Sequence, residues 1–171
     1  MDRLRARVRA VEDFPKTGIV FRDLTPLFAD AEALEFAIDR LAEPFRKSAV
    51  DRVAAVEARG FIVGALVARK LEVGFVPLRK PGKLPRPVES VCYDLEYGSA
   101  VLEAHTDAIA VGERILVVDD VLATGGTAAA AATLVRRLGG EVVAFAMLLE
   151  LSALGGRDRL FGEHVHSVMT F

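Results

Sequence analysis

The chain has 171 residues, with 22 Lys and Arg against 24 Asp and Glu and a formal net charge of −2 at pH 7. That length is typical of one domain with a core of its own. The balanced charge argues against nucleic acid as a partner, because neutralising phosphates needs a basic excess. No apolar run is long enough for a membrane helix, and one cysteine excludes an intrachain disulfide. We therefore expect a single domain over residues 1–171, located in the cytoplasm and without a membrane partner.

Two helices are predicted in the first 45 residues. Leu4, Val8 and Val11 recur at helical spacing and predict a short amphipathic helix that ends before Pro15. A second helix is expected to begin after Asp30, whose side chain can cap it. Its apolar face would consist of Leu34, Ile38, Leu41 and Phe45. Pro44 lies late in this pattern and should kink or restart the helix.

From residue 52 onward, short apolar runs alternate with helical segments. The predicted strands cover residues 53–56, 74–78, 115–118, 142–149 and 165–171, and the predicted helices cover residues 61–71 and 128–138. The five alanines at 128–132 favour a helix packed closely on a sheet. Repeated strand–helix–strand order predicts an α/β fold with a central, mostly parallel sheet flanked by helices.

Two neighbouring segments do not follow this alternation. Residues 79–87 contain three prolines and four cations, which predicts an exposed, mobile loop. Residues 88–103 alternate enough to predict a hairpin, with Tyr93 and Tyr97 near its tip. Within this hairpin, Cys92 is expected to act as a small buried apolar residue.

The clearest site signal is the segment 119–127. Asp119 and Asp120 follow the buried strand 115–118, and Gly125-Gly126 precede the alanine-rich helix. Ligands of a parallel sheet bind beyond the carboxyl ends of its strands, and a helix N-terminus presents free N–H groups to an anion. The two carboxylates can accept hydrogen bonds from vicinal hydroxyls. The segment therefore predicts a site for a ribose phosphate.

Two other nucleotide-binding motifs can be tested on the sequence. Four apolar residues followed by two aspartates resemble a Walker B strand, but the chain has no G-x-x-x-x-G-K-[ST] segment. A dinucleotide-binding fold requires G-x-G-x-x-G, and the chain contains no G-x-G. Both alternatives therefore fail.

Residues 117–127, with the sequence VVDDVLATGGT, closely resemble the signature loop of the type I phosphoribosyltransferases. Four further segments, 21–23, 57–61, 79–85 and 93–98, resemble the branch of that family that acts on adenine. The resemblance extends from about residue 14 to residue 160. Val121 stands where leucine is commoner, which is a conservative difference.

The resemblance implies transfer of a 5-phosphoribosyl group from 5-phosphoribosyl 1-pyrophosphate (PRPP) to N9 of adenine. The products are AMP and pyrophosphate, as in purine salvage. It also implies a homodimer, an N-terminal hood over the base (residues 1–30) and a flexible active-site loop (residues 79–103). Mg²⁺ is the expected cofactor, held mainly by PRPP and water rather than by protein ligands.

The resemblance also assigns roles to individual residues. Those expected at the ribose 5-phosphate are Asp119, Asp120, Ala123, Thr124, Gly125, Gly126 and Thr127. Those expected at the pyrophosphate are Arg59, Lys80 and Lys83, with Arg79 acting on it from its own subunit or the neighbouring one. Those expected at adenine are Val20, Phe21, Arg22, Tyr97 and Leu151. Glu96 is expected to approach N7 of the purine and manage a proton there, so that Glu96, Arg59 and Arg79 form the catalytic set.

Several alternatives remain open at this point. The same chemistry could use hypoxanthine, guanine or xanthine, although backbone groups beside Phe21 suit an amino-purine. Some transcriptional regulators keep this fold and bind PRPP as a signal, but they need a DNA-binding appendage and a basic excess. Phe21 and Leu151 could also be ordinary core residues.

Overall fold

The computed structural model describes residues 2–94 and 98–171. In chain order, the strands are β1 (Arg9–Val11), β2 (Phe21–Asp23), β3 (Arg52–Val56), β4 (Gly74–Leu78), β5 (Val88–Asp94), β6 (Ser99–His105), β7 (Arg114–Leu122), β8 (Glu141–Glu150) and β9 (Val165–Thr170). The helices are α1 (Asp2–Arg5), α2 (Thr25–Phe28), α3 (Ala31–Ala42), α4 (Arg59–Leu71) and α5 (Gly126–Arg137). Short 3₁₀ turns follow α3 and β8.

Five strands form one parallel sheet in the order β4-β3-β7-β8-β9, and each neighbouring pair runs in the same direction. Antiparallel pairs join β1 to β2 and β5 to β6 in two small separate sheets. The predicted α/β fold with a mostly parallel central sheet is confirmed. The carboxyl ends of β3 and β7 lie side by side in this order, which brings the segments following both strands together.

Side chains alternate between the two faces of the sheet along each strand, and both faces are buried under apolar clusters. In β3, Val53 and Ala55 belong to one apolar cluster, whereas Ala54 and Val56 belong to the other. Helices α3 and α4 cover the first face, while α5 and the β5–β6 hairpin cover the second. The short apolar runs of the sequence are therefore strands shielded on two sides.

The helices follow the predicted pattern closely where they contact the sheet. Asp30 caps α3, since its carboxylate accepts a hydrogen bond of 3.0 Å from the N–H of Ala33. Pro44 lies in a 3₁₀ turn (Glu43–Phe45) that directly follows α3. On α5, Ala130, Ala131 and Ala132 are at most 3% exposed, which confirms close packing on the sheet. Among the described residues, no helix combines the length and apolarity needed to cross a bilayer.

The hairpin predicted for residues 88–103 is confirmed as β5 and β6. Its base is fastened to the loop that precedes it, because Arg79 and Glu103 exchange two backbone hydrogen bonds of 2.8 and 2.7 Å. The burial predicted for Cys92 is wrong, since its side chain is exposed. Val91 and its cross-strand partner Leu102 are buried in the core, so Cys92, the next residue on β5, faces outward.

The N-terminal prediction is only partly right. The helix ends at Arg5, and Val11 lies in a strand that pairs with Phe21. Pairing with β2 and burial of Leu4 outweigh the helical spacing of the apolar residues in this segment. The N-terminal arginines contact acidic side chains nearby, including an ion pair of 2.7 Å between Arg7 and Asp30.

Three element boundaries around the predicted site also differ. Strand β7 continues to Leu122, so Asp119 and Asp120 lie in the strand rather than in the following loop. The extension arises because β8 pairs with β7 as far as Glu150. Helix α4 begins at Arg59 and α5 at Gly126, each two residues before its predicted start. The site residues therefore sit on the ends of regular elements.

Candidate active site

A cavity of ≈ 620 Å³ opens beyond the carboxyl ends of β3 and β7. It brings together ten of the residues that the sequence assigned to the site. These are Val20, Phe21, Arg22, Arg59, Lys80, Asp119, Asp120, Ala123, Thr127 and Leu151. A smaller pocket of ≈ 70 Å³ shares Asp119, Ala123 and Thr127 with it and adds Thr124, Gly125 and Gly126. The two pockets therefore adjoin at these shared residues.

Asp120 and Arg59 form the charged centre of the site. Arg59 is the first residue of α4, and its Nε lies 2.6 Å from Oδ2 of Asp120, whose side chain is almost fully enclosed. The Arg59 guanidinium is the charged partner of this buried oxygen, and no other donor among the described residues forms a hydrogen bond with it. A carboxylate oxygen can accept more than one hydrogen bond, so a single cation leaves it able to accept another from a ligand. Asp120 is therefore suited to accept a hydrogen bond from a bound molecule.

The two adjacent carboxyl groups influence each other's ionisation. Burial, followed by the negative charge of Asp120, raises the pKa of Asp119 well above its usual value. Burial also raises the pKa of Asp120, but the Arg59 guanidinium opposes this effect. Two carboxylates so close together disfavour double ionisation. A hydroxyl-bearing ligand with a cation would relieve this repulsion.

The glycine-rich turn lies between β7 and α5. Gly125 has φ of +80°, a left-handed conformation that favours glycine, and it precedes the first residue of α5. The N–H groups that follow belong to the first turn of a 12-residue helix, where backbone N–H groups have no acceptor within the helix. Thr127 adds a hydroxyl, which lies 3.4 Å from the Tyr93 hydroxyl. This turn has the features of an anion site.

The apolar part of the cavity is formed by residues from both ends of the chain. Val20 is 46% exposed, and Phe21 packs edge-on against Phe14 with ring centroids 5.2 Å apart. Leu151 lines the cavity and also packs on the core, and its role at adenine stays a prediction. The Arg22 guanidinium stacks on the Phe171 ring at 4.6 Å. The result is a slot with largely apolar walls.

The cations of the 79–83 segment are arranged around Glu57. Arg79 Nε donates to Glu57 Oε2 at 2.8 Å, and the Lys80 backbone N–H donates to Oε1 at 3.0 Å. Burial disfavours the Glu57 carboxylate, but these donors more than compensate and lower its pKa. Lys80 lines the cavity. The Arg79 guanidinium makes a second hydrogen bond, from Nη1 to the Lys83 carbonyl at 3.2 Å. Arg79 is thus held within its own chain.

Some site residues were not predicted, and others lie outside the described structure. Ile19, Tyr93 and Leu102 line the cavity without having been assigned to it. The alternation of β5 and β6 could have indicated that Tyr93 and Leu102 face inward. Glu96 and Tyr97 fall outside the described residues.

The chain matches the phosphoribosyl transferase domain model over residues 28–160. It therefore belongs to the phosphoribosyltransferase family, as the fold and the glycine-rich turn beside two aspartates indicate. Within this family the chain belongs with the adenine phosphoribosyltransferases. It is 59% identical over 171 residues to the adenine phosphoribosyltransferase of Methylococcus capsulatus, with 100% of both chains covered.

Solved structures agree with this placement. The adenine phosphoribosyltransferase of Thermoanaerobacter pseudethanolicus superposes with a TM-score of 0.96 at 48% identity, covering 99% of each chain. The Saccharomyces cerevisiae enzyme superposes with a TM-score of 0.91 at 36% identity, covering 97% of this chain and 96% of its own. That structure is a complex with adenine and an imino-altritol bisphosphate.

Proposed function

We propose that this protein transfers the 5-phosphoribosyl group of PRPP to N9 of adenine and releases AMP and pyrophosphate. The observation that carries this proposal is the buried Asp120 carboxylate, paired with the Arg59 guanidinium, beside a glycine-rich turn at a helix N-terminus. The first feature suits a ribose hydroxyl and the second suits a phosphate. They line two adjoining pockets, the larger of which also has an apolar slot.

PRPP is oriented by its two ends in this proposal. The 5-phosphate accepts hydrogen bonds from the turn formed by Ala123, Thr124, Gly125, Gly126 and Thr127. The ribose hydroxyls donate to Asp119 and Asp120, which displaces Arg59 toward the pyrophosphate. This exchange is favourable because hydroxyl donors satisfy the buried carboxylate oxygens and leave the guanidinium to neutralise a phosphate. PRPP is thereby held with its anomeric carbon toward the apolar slot.

Adenine binds in the slot between Phe21 and Leu151, with Val20, Arg22 and Tyr97 around it. The backbone of residues 20–22 faces the amino edge of the base. Phe21 supplies a face for stacking, and the apolar walls exclude water from the reacting centre. Such a slot favours a base with an exocyclic amine over an oxo-purine because backbone acceptors can receive its hydrogen bonds.

The reaction needs no nucleophile from the protein. The bond between the anomeric carbon and the pyrophosphate oxygen breaks, and its electrons leave with pyrophosphate. The N9 lone pair forms the new bond, while the proton on N7 passes to Glu96. Arg59, Lys80, Lys83 and Arg79 counter the charge that develops on the leaving group. The protein contributes mainly position, charge and exclusion of water.

Mg²⁺ is the cofactor we propose for this reaction. The described residues contain no group of three His, Cys, Asp or Glu side chains that could hold a metal. Carboxylate oxygens of Asp119 and Asp120 nevertheless fit an ion that keeps several waters and is bound chiefly by its substrate. When bound, Mg²⁺ would neutralise phosphate charge and favour ionisation of both carboxyl groups.

We propose that the whole chain, residues 1–171, is one catalytic domain that works as a homodimer. Residues 1–30 form a hood over the base, and the loop 79–103 closes on the substrates. Exposed apolar side chains on neighbouring helices support an association surface: Phe36 on α3 and Ile62 and Leu66 on α4 are each 39–42% exposed. The Arg79 guanidinium lies 5.9 Å from the ring of Phe61 on α4, and in this proposal Arg79 acts on the pyrophosphate of its own subunit or of the neighbouring one.

Turnover assays with four bases test the proposed function. Adenine, hypoxanthine, guanine and xanthine are each incubated with PRPP and Mg²⁺, and pyrophosphate release is measured. Adenine should be the fastest substrate. Faster turnover of guanine would overturn the choice of base, and PRPP binding without turnover of any base would indicate a regulator instead of an enzyme.

A further inference from the structure

A turn after β8 packs directly behind the phosphate-binding turn. We call this segment, residues 155–160, the brace. A Cβ on Gly156 would lie 2.3 Å from the carbonyl oxygen of Ala123, and one on Gly125 would lie 2.4 Å from the carbonyl oxygen of Gly156. The two backbones are therefore in contact at a distance that excludes any side chain. Any displacement of the brace must be transmitted to the turn that faces the ligand.

An ion pair between a half-exposed arginine and a buried glutamate fixes the brace to the sheet. Arg157 donates from Nε and Nη2 to both oxygens of Glu150, at 2.7 and 2.8 Å. Glu150 ends β8 and is 6% exposed, and Ser167 on β9 donates to it at 2.6 Å. The other Arg157 nitrogen, Nη1, donates to the Val165 carbonyl at 3.1 Å. A bidentate pair of this kind defines direction as well as distance.

Glu150 also connects the brace with the apolar slot. It pairs in register with Leu122, the last residue of β7, and it precedes Leu151. The Leu151 N–H donates to the Leu122 carbonyl at 2.9 Å. The ion pair thus lies where β7, β8 and the brace meet, at the rim of the proposed nucleotide site.

We infer that Glu150 and Arg157 are positioning residues that hold Gly156 against Ala123 and Gly125 and so shape the turn that binds the 5-phosphate. This inference rests on the proposed function. Neither side chain lines the cavity within the described structure, so both act through the brace. An ion pair whose arginine is half-exposed contributes little net stability, which makes retention of geometry its more important effect.

The principal test replaces Arg157 by Met, with Arg52→Met as the matched control. Arg52 forms a partly buried pair with Glu113 at 2.8 Å at the opposite end of the sheet. The measurements are KM for PRPP, KM for adenine at saturating PRPP, Kd for AMP and Tm. Arg157→Met should raise KM for PRPP and Kd for AMP by about tenfold or more, which corresponds to ~1.4 kcal/mol. KM for adenine should stay unchanged, and Arg52→Met should leave all three constants unchanged.

Two further variants separate position from stability. The double variant Glu150→Met with Arg157→Met leaves no unpaired charge, so its Tm should recover while its KM for PRPP stays high. Gly156→Ala should raise KM for PRPP, whereas Gly74→Ala should not, because a Cβ on Gly74 lies at an ordinary 3.6 Å from Arg52. An unchanged KM for PRPP in Arg157→Met and Gly156→Ala would overturn the inference. The inference would also be overturned if KM for PRPP and KM for adenine rose equally and in proportion to the drop in Tm. Lack of turnover by the unmodified protein would instead overturn the proposed function.

Discussion

At the residue scale, the site depends on space as much as on charge. Gly60 follows Arg59 at the start of α4, and a Cβ there would lie 2.4 Å from Oδ1 of Asp119. Its φ does not require glycine, so the reason for glycine is the close approach of the carboxylate. The sequence places Gly60 beside Arg59 but does not reveal this contact, because Asp119 is distant along the chain.

Gly60→Ala is expected to lower kcat/KM for PRPP by about tenfold or more, since the added methyl must displace Asp119. Gly64→Ala is the matched control on the same helix, where the new Cβ would lie 2.4 Å from the Ala55 Cβ in the core. The control should lose about 1–3 kcal/mol of stability by overpacking while keeping its KM for PRPP. Steady-state kinetics and chemical denaturation distinguish the two effects. A Gly60→Ala enzyme with normal kinetics would contradict this account.

The carboxyl pair predicts a pH dependence. Asp119 and Asp120 have raised pKa values, so protons compete with PRPP as the pH falls toward those values from above. KM for PRPP should therefore rise on acidification at pH values still above the usual aspartate pKa. For folding, the sign is opposite: a raised carboxyl pKa stabilises the folded state at low pH, and this contribution is lost as the pH rises.

Asp120→Asn tests that assignment directly. Binding of PRPP at neutral pH should weaken by about tenfold or more, and its acid dependence should flatten, since one titrating acceptor has been removed. Asp51→Asn is a suitable control, because Asp51 accepts a backbone N–H at the other end of the sheet. A variant with the affinity and pH profile of the unmodified protein would remove Asp120 from the ribose site.

At the scale of elements, the existence of each main helix was easier to predict from the sequence than the residue at which it begins. The Asp30 cap of α3 is a local property and is confirmed, and Ile38 and Leu41 of the predicted apolar face are buried. Phe45, the last residue of that predicted face, is also buried but lies in the 3₁₀ turn beyond the end of α3. Strand β7 is longer than predicted because its last residues are polar and yet pair with β8. The sequence predicts one helix up to Pro15 and therefore misses β1, since only pairing with β2 reveals a strand there.

Close packing of α5 gives a stability prediction. Ala131 is fully buried against the sheet, so Ala131→Leu should cost about 1–3 kcal/mol through overpacking. Thr133→Leu adds a similar side chain at an exposed position of the same helix and should change stability little. Urea denaturation of both variants measures the difference. Equal stability of the two would show that α5 lies farther from the sheet than its alanines indicate.

At the scale of the whole molecule, the predicted dimer concerns the exposed apolar residues of α3 and α4. We expect light scattering to give a mass of about twice 18.4 kDa for the protein. Ile62→Asp with Leu66→Asp should reduce this to the mass of one chain, because charges oppose burial of that surface. Val111→Asp is the control, since Val111 is 91% exposed on a turn before β7. A monomeric unmodified protein would contradict the proposal, and a double variant that stays dimeric would place the interface elsewhere.

The sequence by itself determined the order of strands and helices from residue 52 onward, the acidic and glycine-rich segment, and the family. These features depend on residues that are neighbours in the chain. The cytoplasmic location expected from the sequence stays a prediction. Only the tertiary structure decided that Asp119 faces Gly60, that Arg79 is held by Glu57, and that the brace supports the phosphate-binding turn. The physical reason is that these contacts join segments 20 or more residues apart, whose approach is set by packing on both faces of one sheet.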